Sequence, residues 1–315
     1  MDAKNKLLIL TETPAHYAAL VEAIGFTDLE CVACRHAEDA RPYVKECNII
    51  LGEPSRIAPL LDAAGSLQWI QSTYAGVEPL MGPAMRTDYL LTNIRGIFGP
   101  LMSEYVFAYI LALERHLFQT RKNQKDHSWH DISYRSLKGI LVGICGVGSI
   151  GSHIARTARH FQMDVWGFRR TNESVSGFDR IFTQERFEEF LAGPDYVVIT
   201  LPETRETRHL FDDHAFRIMK PSTVLINVGR SAIVSEQSLI RTLEEKQIRG
   251  AVLDVFEEEP LPKESPLWDL PNVLITPHNA AVSFPEPVVE ILADNYRRFV
   301  AGKPLRYRVD FERGY

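Results

Sequence analysis

Ile140-Leu141-Val142-Gly143-Ile144-Cys145-Gly146-Val147-Gly148-Ser149-Ile150-Gly151 is an apolar run that ends in three spaced glycines, and residues 150–160 behind it carry a helical pattern. Strand, glycine turn and helix form the context in which G-x-G-x-x-G holds a dinucleotide. The first glycine permits the tight turn, the second lets the backbone approach a pyrophosphate, and the third lets helix and strand pack. Phosphates then meet free N–H groups at a helix N-terminus. The expected cofactor contacts here are Gly146, Gly148, Ser149, Ile150 and Gly151.

Outward from this stretch, short apolar runs alternate with helical patterns, which predicts an α/β protein with parallel sheets. Downstream, strands are expected at 165–168, 196–201, 224–228, 251–255 and 273–276, with helices at 185–191 and 236–245. Upstream, strands are expected at 7–10, 29–32, 48–51 and 69–71, and helices at 16–23 and 59–63. A long helix should cover 100–116, with Pro100 in its first turn, where a missing N–H costs nothing. A polar stretch, 120–136, follows it. After Pro285 and Pro287, a helix at 288–301 is expected to return to the first unit. The predicted architecture is a Rossmann-type doubly wound cofactor domain, 100–284, inserted in a smaller flavodoxin-like substrate domain, 1–99 plus 285–315. A ligand is expected in the cleft between them, outside the carboxyl ends of the strands.

Composition agrees with two domains. The chain has 315 residues, against about 150 per domain. Apolar residues make up 45% and charged residues 24%, which excludes collagen-like, disordered and coiled-coil classes. A net charge of −6 argues against a nucleic-acid binder that works by global charge. No apolar run approaches the roughly 20 residues of a spanning helix, and residues 1–10 read as a strand rather than a signal peptide. Four cysteines give no disulfide framework. Cys31 and Cys34 form a CxxC, but no second ligand pair stands at zinc spacing, and they fall in a strand. A soluble cytoplasmic protein without a metal is expected, with no membrane or nucleic-acid partner.

The next strand bears on the cofactor. Where an NAD enzyme would place an acid against the ribose hydroxyls, the chain has Phe168-Arg169-Arg170-Thr171, with Arg169 18 residues after Gly151. An acid would repel a 2′-phosphate, whereas guanidiniums grip one through forked hydrogen bonds. NADP(H) is therefore expected over NAD(H), with Arg169, Arg170 and Thr171 at the phosphate.

Three segments after predicted strands each hold a chemically apt residue. They are Asn227-Val228-Gly229-Arg230-Ser231, Asp254-Val255-Phe256-Glu257-Glu258-Glu259-Pro260 and Thr276-Pro277-His278-Asn279. Reduction of a 2-keto acid needs a cation to anchor the carboxylate and an acid to protonate the developing alkoxide. The fork of Arg230 suits the first task. His278 suits the second, because histidine is the side-chain type whose ordinary titration lies nearest neutral pH. A carboxylate beside it would favour the imidazolium and orient the ring. Spacing alone does not choose that carboxylate from the acidic run.

From about Gln68 to Ala281 the chain resembles the D-isomer-specific 2-hydroxyacid dehydrogenase family, and in type its NADP-dependent glyoxylate/hydroxypyruvate reductases. The match runs through Gln71-Ser72-Thr73-Tyr74-Ala75-Gly76-Val77, Ser136-Leu137-Lys138-Gly139 and the glycine loop. It continues with Leu201-Pro202-Glu203-Thr204-Arg205-Glu206-Thr207, Met219-Lys220 and the three segments above. The resemblance implies Arg230 for substrate, His278 as acid/base, and Glu259 as its partner, because the family's glutamate directly precedes the proline. It also implies Asp254 near the nicotinamide carboxamide and Leu201, Pro202, Thr207, Val228 and Gly229 along the cofactor. Backbone N–H groups of Ala75 and Gly76 would receive the substrate carboxylate. Ser231 replaces a frequent glycine and leaves the arginine in place. A dimer is implied by family habit, with Trp129 reaching a neighbouring subunit. Tyr74, Phe98 and Met102 are placed either to line a side-chain pocket or to pack in the core. Two alternatives are less favoured: an NAD-linked D-3-phosphoglycerate-type dehydrogenase, which carries an appended domain, and a non-catalytic nicotinamide-sensing scaffold.

Overall fold

Every pairing between strands in the computed structural model, which describes residues 5–82 and 84–312, is parallel. Two units form. One holds the residues up to Ile97 and those from Ser283 onward, and the other is Phe98–Val282.

In the first unit, β1 (Asn5–Leu10), β2 (Leu29–Cys34), β3 (Ile49–Gly52), β4 (Trp69–Ser72) and β5 (Leu90–Thr92) lie in the order β2-β1-β3-β4-β5. This is the flavodoxin-like order. The inner strands β3 and β4 are buried along their whole length, the run of apolar residues that a sheet covered on both faces requires. The helix Pro285–Val300 belongs here, packed beside the helix Pro14–Ile24. A buried polar chain fixes it: Thr92 Oγ1 and Asn295 Nδ2 both donate to Gln71 Oε1, and Trp69 Nε1 donates to Thr92 Oγ1. Trp69 also stacks on Phe299 at 5.6 Å between ring centroids.

In the second unit, β6 (Leu141–Cys145), β7 (Asp164–Phe168), β8 (Arg180–Phe182), β9 (Tyr196–Ile199), β10 (Val224–Asn227), β11 (Gly250–Leu253) and β12 (Val273–Ile275) lie in the order β12-β11-β10-β9-β6-β7-β8. The order reverses between β6 and β9, the switch point of a doubly wound sheet. Alternate residues serve two cores. Val142, Ile144, Tyr196, Val198 and Ile226 pack with Val106, Ile110 and Ile154, whereas Cys145, Val197, Ile199 and Leu225 pack among Phe168, Phe190, Phe211 and Phe216. The expected Rossmann-type α/β class is what the structure shows.

Several elements differ from the sequence expectation. β5 and β8 are three residues each, too short to show alternation. The helix Ala37–Val44 contains Pro42, which reads as a breaker. The helix Leu117–Lys125 occupies the start of the expected polar stretch. It buries no residue, so it shows no apolar face to detect. The helix Asp213–Ile218 is only six residues long and is capped by Asp212, whose Oδ1 accepts the Ala215 N–H.

One charged cluster ties the second unit together. Glu114, 3% exposed at the end of the helix Phe98–Glu114, accepts hydrogen bonds from Arg135 Nε, Tyr196 Oη and Arg249 Nη1. Burial alone would raise its carboxyl, but these donors outweigh burial and bring it down to about 2 from an ordinary 4.5. A lowered carboxyl stabilises the fold above its unfolded value and loses that contribution as pH falls through its folded value. Glu114→Gln should therefore cost about 3 kcal/mol at neutral pH. The difference from wild type should shrink between pH 4.5 and 2. Denaturant midpoints across pH check this, and a pH-independent difference would contradict it.

Candidate active site

The loops that follow parallel strands leave a sheet at one edge. In the second unit the glycine loop follows β6, Arg169 follows β7, Arg230 follows β10, Asp254 follows β11 and His278 lies beyond β12. The sequence-predicted residues of this unit thus share the carboxyl edge of its sheet.

The glycine loop fits a dinucleotide. Gly146 has φ +107, a backbone conformation that favours glycine, and Thr200 Oγ1 donates to its carbonyl. A Cβ on Gly151 would stand 2.0 Å from the Gly146 oxygen, so helix and strand touch directly. A Cβ on Gly148 would meet nothing within 4 Å, so the outer face of the loop has room for a phosphate. Gly148 is the N-cap of the helix Ser149–His160 and offers no side chain to its first N–H groups. Those donors, from Ser149 and Ile150 onward, suit an anion.

At the end of β7, Arg169 is 28% exposed and pairs with Glu173 at 3.4 Å. Arg170 and Thr171 are exposed, and Thr171 Oγ1 also reaches Glu173. The sequence reading missed Glu173. It stands four residues after Arg169 rather than in the ribose position. At 75% exposure its ion pair is worth little. Leu201 is buried, and Thr207 Oγ1 donates to the Pro202 carbonyl at 2.8 Å and closes that loop.

Arg230 sits in a turn held by Asn227, a second residue whose role the sequence reading did not assign. Asn227 Oδ1 accepts the Gly229 N–H and its Nδ2 donates to the Arg230 carbonyl. Val228 is buried, and a Cβ on Gly229 would stand 3.0 Å from the Leu201 oxygen, which draws the two loops together. The Arg230 side chain is partly buried and its Nη1 donates to the Gly229 carbonyl at 2.9 Å.

His278 Nδ1 lies 2.8 Å from Glu259 Oε2, and Glu259 Oε1 accepts the Phe256 N–H. Of the three candidate glutamates, the structure brings Glu259 to the ring. His278 has φ +51, and its N–H donates to the Asp254 carbonyl. The Asp254 side chain, 1% exposed, accepts from Thr276 Oγ1 and from the N–H groups of Asn279 and Ala280. Because the single Thr276 proton goes to Asp254, Tyr105 is the donor in the 2.6 Å contact between their hydroxyls. Asp254 therefore braces the turn that presents His278.

Ala75 and Gly76 belong to the other unit. Asn93 Nδ2 donates to the Ala75 carbonyl, and Ser72 Oγ and the Ile94 N–H donate to the Tyr74 carbonyl. Among the described residues, no acceptor takes the Ala75 or Gly76 N–H, so both remain available to an anion. Tyr74 is 45% exposed beside them. Phe98 is buried, and Met102 packs against the core of the second unit. Cys31 is a strand residue whose thiol burial pushes up to about 11, away from reactivity.

The family described as D-isomer specific 2-hydroxyacid dehydrogenase, NAD binding domain, matches residues 107–280. A glyoxylate reductase of Pyrococcus furiosus is 34% identical over 70% of this chain and 68% of its own. A glyoxylate/hydroxypyruvate reductase A of Photorhabdus laumondii is 31% identical over 69% of each chain. Among solved structures, a D-isomer specific 2-hydroxyacid dehydrogenase family protein from Aeromonas salmonicida is 46% identical. It superposes with TM-score 0.95 over 98% of this chain and 99% of its own. An NADPH-dependent glyoxylate/hydroxypyruvate reductase from Sinorhizobium meliloti, solved with NADP and sulfate, is 27% identical with TM-score 0.88, over 99% of this chain and all of its own.

Proposed function

The chain belongs to the D-isomer-specific 2-hydroxyacid dehydrogenase family, and we propose that it reduces small 2-keto acids such as glyoxylate or hydroxypyruvate to D-2-hydroxy acids, with NADPH preferred and NADH possible. The observation that carries this reading is the 2.8 Å contact of His278 Nδ1 with Glu259. It stands on the sheet edge that also bears the glycine loop and Arg230. The names of relatives in both comparisons point the same way.

Residues 100–284 are assigned to the cofactor and residues 1–99 plus 285–315 to the substrate. When bound, the nicotinamide supplies the hydride. Gly146, Gly148, Ser149, Ile150 and Gly151 would hold its pyrophosphate, Arg169, Arg170 and Thr171 the 2′-phosphate, and Asp254 the nicotinamide end. Arg230 and the N–H groups of Ala75 and Gly76 bind the substrate carboxylate, and the guanidinium polarises the carbonyl. Glu259 fixes one proton on Nδ1, so the proton that His278 transfers to the developing alkoxide sits on Nε2. At 54% exposure, the ring regains that proton from solvent.

We assign the protein to the cytoplasm and to a homodimer. All four cysteines are free. Among the described residues, no helix is long and apolar enough to cross a membrane. Trp129, fully exposed, and Phe118 and Tyr134, each at least half exposed, leave large apolar side chains available to a second copy.

Steady-state assays of glyoxylate and hydroxypyruvate with each cofactor test the reading. We expect turnover, with kcat/KM at least about tenfold higher for NADPH, the worth of one charge-assisted contact. No oxidation of either cofactor with any keto acid would overturn it.

A further inference from the structure

The carboxyl edge of the first unit's sheet carries a set of charges that the reaction above does not use. Arg35 follows β2, Glu12 follows β1, and Glu53 and Arg56 follow β3. These four form a closed network: Glu12 pairs with both arginines, and Glu53 pairs with Arg56. Two carboxylates and two guanidiniums cancel, so the network adds no net charge to this edge.

Arg95, which follows β5 at the same edge, stands outside it. Among the described residues Arg95 forms no ion pair, and its one hydrogen bond runs from Nε to Asn93 Oδ1 at 3.1 Å. Asn93 is 4% exposed, and its Nδ2 donates to the Ala75 carbonyl at 2.9 Å. A single buried asparagine therefore holds both the loop assigned to the substrate carboxylate and an exposed guanidinium. The bond to Nε orients the guanidinium plane and leaves the end-on fork, Nη1 and Nη2, unused. Such a fork matches a carboxylate in two parallel hydrogen bonds.

We propose that Arg95 is a specificity-determining residue that binds a second anionic group of the substrate, so that the enzyme favours 2-keto acids bearing a distal carboxylate over glyoxylate. The inference rests on the proposed function. That reading already gives the 2-carboxylate to Ala75, Gly76 and Arg230, so the Arg95 fork is left for the other end of the molecule. Uncompensated charge beside a substrate loop selects an anion, and a forked donor selects a planar one.

The test compares oxaloacetate and 2-ketoglutarate with glyoxylate, using NADPH and three proteins: wild type, Arg95→Leu and Arg95→Gln. The glutamine keeps a donor for Asn93 but no charge. Loss of a charged forked contact is worth roughly 10- to 100-fold. The kcat/KM ratio of dicarboxylate to glyoxylate should fall by that factor in both variants, mainly through KM. A ratio that moves less than about threefold overturns the proposal, as does a wild type that reduces glyoxylate but neither dicarboxylate. A glutamine variant that keeps the wild-type ratio would reduce Arg95 to a support for Asn93 and also overturn it. A wild type that reduces none of the three acids is a different failure. It would remove the proposed function and this inference with it.

Discussion

His278→Ala should lower kcat by roughly 10²–10⁴, the usual contribution of a positioned general acid. The size follows from the geometry. Glu259 takes Nδ1 at 2.8 Å, so the ring presents one defined nitrogen to the substrate. The backbone of the turn is fixed independently by Asp254. Alanine removes the proton donor without loosening its support, because every contact Asp254 makes in the turn is to backbone or to Thr276. KM should change much less than kcat, since Arg230 and the glycine loop are untouched. Single-turnover rates with glyoxylate and NADPH provide the measurement. Near-normal rates would mean that another group delivers the proton. Glu259→Gln is the companion variant: it keeps the shape but not the charge, and should give a smaller loss than His278→Ala.

The second large effect concerns cofactor choice. Arg169→Asp should invert or abolish the preference for NADPH, moving the NADPH/NADH ratio of kcat/KM by roughly 10²-fold. One factor of about ten comes from the lost charge-assisted contact and a similar one from placing a carboxylate against a 2′-phosphate. Arg169 is set up for this because its N–H donates to the Phe182 carbonyl, which anchors the backbone at the end of β7. Its present partner is Glu173 on an exposed turn, and the substitution removes that attraction as well. Titration of both cofactors by fluorescence, alongside the kinetics, separates affinity from turnover. Equal ratios before and after substitution would remove Arg169 from the phosphate site.

Much of this was legible in the primary structure because the signals were local. The apolar run 140–145 and the three glycines placed β6 and the helix Ser149–His160 to within a residue, since sterics around Gly146 and Gly151 leave few alternatives. The acid/base pair was only half legible. His278 and Glu259 are 19 positions apart, and the residues read alone did not choose among three adjacent glutamates. What stayed hidden was tertiary. Thr276 and Tyr105 act through hydrogen bonds whose partners lie on other elements, and Asn93 reaches Ala75 across 18 positions. The helix Leu117–Lys125 was missed for the opposite reason: with no buried face it has no periodicity to read.

The return of the helix Pro285–Val300 to the first sheet has a consequence for synthesis on the ribosome. β4 and β5 emerge early, but Asn295, which bonds to Gln71, and Phe299, which stacks on Trp69, emerge after the whole of Phe98–Val282. At about 5–20 residues per second that delay of about 185 residues lasts roughly 10–40 s. During it the inserted unit can complete its own cores while the first sheet remains unfinished, with Trp69 uncovered. This connectivity lets the chain complete its middle before its ends. Its most vulnerable surface belongs to the part made first.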